Sequence, residues 1–169
     1  MIFINTRKVA FGGIATAFSV AVLYMASVLP TLKLALCAIT SVIICICAIK
    51  YNLSGALMVY AATSVVSVLI LPNKMIALAY FVVFGNYPIV KSIVEQKNIS
   101  LAKERILKVI LYLIYATLLI FGINLLFSDI IMPYSYGVMY VVVVVCAIVY
   151  DIGISVVLSE ISRRFSKFL

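Results

Sequence analysis

Six runs of apolar residues divide this chain, and its basic residues fall almost entirely at alternate ends of those runs. The runs cover about 9–29, 34–49, 53–71, 75–94, 109–127 and 134–158. A helix rises about 1.5 Å per residue, so about 20 residues cross the roughly 30 Å of bilayer hydrocarbon. The second run is shorter than the others. Apolar residues make up 67% of the 169 and mean hydropathy is +1.31, whereas a soluble domain is about half apolar. A water-soluble fold of this size has nowhere to hide the excess, so lipid is expected to solvate much of the surface. Six spans use nearly the whole length, and 1–169 reads as one transmembrane domain.

The charges orient that domain. Arg7, Lys8, Lys50, Lys91, Lys97, Lys103, Arg105, Lys108, Arg163, Arg164 and Lys167 lie at one set of ends, and only Lys33 and Lys74 at the other. Basic residues collect on the cytoplasmic side of membrane proteins. The expected fold is therefore an all-α membrane protein of six transmembrane helices, multi-pass in the cell membrane, with N and C termini cytoplasmic. The same distribution explains the net charge of +8 without nucleic acid, because the positives are scattered between spans and form no continuous stripe. Arg7-Lys8 followed by a long apolar run with no small-residue cleavage site reads as a retained first helix. The stretch 95–108 is the one connection long enough for structure of its own, an interfacial helix starting near Ser100.

Catalytic and metal chemistry find little to work with. There is no histidine, which removes His-ligated metals and Ser–His dyads. Of the carboxylates Glu95, Glu104, Asp129, Asp151 and Glu160, only Asp151 lies well inside a run. It is expected to pair with Lys91 or Lys108, since an unpaired acid in lipid is costly. Cys37, Cys45, Cys47 and Cys146 sit in apolar runs without CxxC spacing and read as small hydrophobes, neither disulfide-bonded nor metal-binding. We therefore expect no enzyme, no cofactor and no metal.

Three constellations remain. Gly13, Ala17 and Ala21 recur every four residues, which places them on one helical face. Small faces admit close helix approach in lipid, either within the bundle or against another membrane protein. At the outer ends, Asn73 and Lys74 follow Pro72, with Tyr80 one run further. Tyr134, Tyr136 and Tyr140 open the last run beside Asn124 and Asp129. Tyrosines also form interfacial belts whatever the function. Together with Lys74 they could bind a small planar, partly anionic molecule. Finally, Phe84-Gly85-Asn86-Tyr87-Pro88 interrupts the fourth run. Pro88 lacks an N–H and is expected to kink the helix there, and Asn86 needs a partner in lipid.

The size, six spans, Arg7-Lys8-Val-Ala start, Ala17-x-x-x-Ala21 face, Pro30, and the segment from Leu71-Pro-Asn-Lys through Phe84-Gly-Asn-Tyr-Pro88 to Lys91 resemble the substrate-binding S component of an energy-coupling-factor (ECF) transporter. That resemblance implies high-affinity binding of a vitamin or similar small organic nutrient near the outer face. The binding residues would be drawn from Asn73, Lys74, Tyr80, Asn86, Tyr134, Tyr136 and Tyr140. It further implies docking through Gly13, Ala17 and Ala21 onto a transmembrane coupling protein driven by two cytoplasmic ATPases. The competing expectation is a six-helix scaffold of the cell-envelope machinery that binds no ligand. A channel would need a polar through-path, for which the second and third runs offer few residues: Thr40, Ser41, Ser54, Thr63, Ser64 and Ser67.

Overall fold

The computed structural model describes residues 6–96, 101–126 and 136–165. All of the described secondary structure is helical: α1 (Thr6–Val28), α2 (Lys33–Ile70), α3 (Lys74–Ala79), a π-helical turn (Tyr80–Phe84), α4 (Tyr87–Gln96), α5 (Leu101–Leu126) and α6 (Tyr136–Phe165). Five stretches are long and apolar enough to cross a bilayer: Lys8–Val28, Lys33–Ile70, Lys74–Val94, Ile106–Leu125 and Gly137–Glu160. The chain divides into two compact units, Met1–Gln96 and Lys97–Leu169.

The second and third apolar runs differ most from expectation. They are not separate helices joined by a loop at 50–52; one helical stretch passes through that point, broken at the single residue Asn52 (φ 65, ψ 176). That combination of φ and ψ is occupied almost only by glycine, so Asn52 holds a strained backbone, and this one residue makes the break where a loop was expected. The break turns the chain back on itself. Ser41 and Tyr60 lie 19 residues apart, or about 28 Å along a straight helix. Yet Ser41 Oγ donates to the Phe84 carbonyl (2.6 Å) and Tyr60 OH donates to the Phe81 carbonyl (2.8 Å). Those two carbonyls are three residues apart, less than one turn of helix. Both hydrogen bonds form only if the arms on either side of Asn52 run side by side.

The expected kink in the fourth run takes a specific form. Gly85 N donates to the Tyr80 carbonyl at 2.7 Å, five residues back, so the helix widens into a π turn and the Phe81 carbonyl loses its usual donor. Pro88, four residues beyond Phe84, likewise has no N–H for the Phe84 carbonyl. Tyr60 and Ser41 supply the two missing donors. Gly85 is required for the same contact, because a Cβ there would come within 2.5 Å of the Tyr60 ring.

α1 packs on α2 through Ala15, Ser19, Val22, Leu23 and Ala26, all buried. The charged stretch after residue 100 is not a separate interfacial element: α5 starts at Leu101 and runs unbroken to Leu126. In the second unit Lys108 Nζ lies 3.7 Å from Asp151 Oδ2, an ion pair expected from the sequence. Tyr140 OH reaches Thr117 Oγ1 at 3.4 Å. Nine residues forward along α5 thus correspond to eleven backward along α6, which makes the two helices antiparallel.

Candidate functional site

The residues expected at an outer ligand mouth divide into three groups. Asn73 and Lys74 sit together at the α2–α3 junction, where both carry structural duties. The Asn73 side chain accepts from Met75 N (3.0 Å) as the N-cap of α3. Lys74 Nζ donates to the Val68 carbonyl (2.6 Å), one of the last carbonyls of α2, which favours a cation at that helix end. Lys74 is exposed, and an ammonium has three donors, so two remain for an anion.

Tyr80 is in a different environment. It is 0% exposed, at the first position of the π turn. Its hydroxyl faces Thr63, with Tyr60 and Cys47 nearby. Neither Tyr80 OH nor Thr63 Oγ1 completes a hydrogen bond of good geometry among the described residues, nor do Ser64 Oγ and Ser19 Oγ. Around them, Thr40, Ser41 and Ser67 are also fully buried, with hydroxyls donating to Cys37, Phe84 and Ser64 carbonyls. The first unit thus has a hydroxyl-rich interior. Asn86 is half-buried, and its backbone carbonyl accepts from Ile89 N and Val90 N to open α4. Tyr140 belongs to the α5–α6 pair. Tyr134 and Asp129 lie outside the described residues, as does the side chain of Tyr136.

The hydroxyls around Tyr80 can hydrogen-bond a neutral polar group, and the buried cation among the described residues of this unit is Lys91 in α4. A hydroxyl buried without a partner costs about 1–3 kcal/mol, so the unfilled valences around Tyr80 favour a water molecule or ligand atom there. In the sequence the hydroxyls of α2 stood out only as too few to line a channel. The signal for their inward direction was present, since Val59, Thr63 and Ser67 recur at helical spacing with Ala56. One face of α5, along Ile110, Leu113, Ile114, Thr117 and Leu118, is an open apolar groove, suited to acyl chains rather than to an anionic nutrient.

The small-residue face of α1 is open. Gly13, Ala17 and Ala21 are all exposed, and a Cβ on Gly13 would meet nothing within 4 Å. Packing within the bundle uses the opposite side of the helix. No family model, curated protein or solved structure was found to match this chain.

Proposed function

We propose that this chain crosses the cell membrane six times, with both termini cytoplasmic, and serves as the substrate-binding S component of an ECF-type nutrient transporter. The hairpin of α2 at Asn52 converts its 38 residues into two crossings, and the distribution of lysine and arginine orients them. A small organic nutrient enters from outside, past Asn73 and Lys74, toward the hydroxyl-lined interior around Tyr80. The exposed face of Gly13, Ala17 and Ala21 docks on a transmembrane coupling protein that two cytoplasmic ATPases drive. The observation that carries this reading is that exposed face: Gly13, Ala17 and Ala21 lie open beside the exposed Ile14 and Phe18, while Ala15, Ser19, Val22, Leu23 and Ala26 on the other side of α1 are buried. A ligand-free scaffold is favoured instead by the structural employment of Asn73 and Lys74. Calorimetric screening of the purified chain against water-soluble vitamins separates the two, since a scaffold titrates none of them. The reading requires at least one binder whose affinity falls in Lys74→Ala or Tyr80→Phe.

A further inference from the structure

The first 94 residues contain no aspartate and no glutamate. They do contain Lys8, near the start of α1, and Lys50, beside the Asn52 break in α2. Lys50 Nζ sits 4.6 Å from the centre of the Phe11 ring and 5.7 Å from that of Tyr51, and the two rings are 5.1 Å apart. Lys8 is three residues before Phe11 and so shares its side of the helix. Both lysines are exposed, and neither has a carboxylate partner among the described residues. The aromatic pair holds the Lys50 cation in place without neutralising it, because a ring face offers a quadrupole and no net charge. The flanking residues Val9 and Ile49 are 56% and 45% exposed, so the charges border an open apolar surface.

We propose that Lys8 and Lys50, arranged around Phe11 and Tyr51, bind the phosphate of an anionic phospholipid headgroup. Positive charge directly above exposed apolar residues matches a molecule with phosphate at one end and acyl chains at the other. A nucleic acid or a soluble phosphate has no use for Val9 and Ile49. This assignment is independent of any nutrient site, because it lies at the Asn52 break in the middle of α2, whereas Asn73 and Lys74 follow its C-terminal end.

The test is native mass spectrometry of the full chain released from nanodiscs of mixed phosphatidylglycerol and phosphatidylcholine. The wild-type chain is expected to retain phosphatidylglycerol preferentially. One lysine near a membrane surface contributes about fivefold in affinity, so Lys50→Gln is expected to lose about fivefold and Lys8→Gln with Lys50→Gln roughly twenty- to thirtyfold. Lys33→Gln removes the same charge about 25 Å away along α2 and is expected to leave retention unchanged. Lys50→Arg keeps the charge and is expected to keep the lipid, which separates lost binding from lost folding. Equal retention in wild type and the double variant overturns the proposal. So does a Lys33→Gln loss equal to that of Lys50→Gln, which would make the effect one of bulk charge. Displacement of the lipid by equimolar inorganic phosphate would also overturn it, since the site would then recognise phosphate alone.

Discussion

Ser41, Tyr60 and Gly85 explain how a broken helix survives in an apolar medium. Water cannot satisfy the Phe81 and Phe84 carbonyls inside a bilayer, so the two side-chain hydroxyls that reach them act as replacements for missing backbone donors. Ser41→Ala leaves the Phe84 carbonyl without its 2.6 Å donor and is expected to destabilise by about 1–3 kcal/mol. Thermal unfolding in detergent followed by circular dichroism measures this, and an unchanged midpoint would refute the donor-replacement role. Gly85→Ala forces a Cβ against the Tyr60 ring and within 3.0 Å of the Tyr80 carbonyl. Overpacking of this kind costs about 1–3 kcal/mol. Because the nearest atoms belong to Tyr60, the cost should shrink when Gly85→Ala is combined with Tyr60→Ala, and strictly additive losses would place the strain elsewhere. Neither contact was legible in the sequence. Pro88 signalled that a donor was missing, but which side chain would replace it depends on how α2 folds over residues 80–85.

At the scale of elements, the apolar runs were legible because a bilayer demands long uninterrupted hydrophobicity. Their ends were clear wherever proline or lysine stopped them, as at Pro30 and Pro72. The turn at Asn52 was legible as a location and not as a conformation. Lys50-Tyr51-Asn52 looks like a short polar connection, and only the backbone angles reveal a single-residue reversal. The hairpin predicts a distance. Spin labels at Leu34 and Leu69 would be about 52 Å apart on a straight helix, but ~10–20 Å apart when adjacent arms pack at ordinary interhelical spacing. Electron–electron double resonance on a cysteine-free background should give the short distance, and a long one would contradict the fold-back. Asn52 should also be replaceable by glycine with unchanged or higher stability, whereas Asn52→Ile should lower the melting temperature. A β-branched residue at φ 65 carries about 1–3 kcal/mol of strain.

For the whole molecule, the charge distribution makes the topology testable independently of function. Cysteines introduced at Lys33 or Lys74 in a cysteine-free background should react with an impermeant maleimide added outside intact cells, and one at Gln96 should not. Reaction at Gln96 would reverse the orientation and with it the outer placement of the ligand mouth. The functional account then rests on the face of α1. Ala17 is exposed, so Ala17→Trp should fold and keep ligand affinity while preventing close approach of a partner helix. The most direct measurement is affinity purification of the tagged chain from gently solubilised membranes, with mass-spectrometric identification of what accompanies it. Wild type should bring down one transmembrane coupling protein and two ATPases, and Ala17→Trp should come alone. A wild-type chain that purifies without them from cells whose nutrient uptake depends on it, or an Ala17→Trp chain that retains them, would contradict the account.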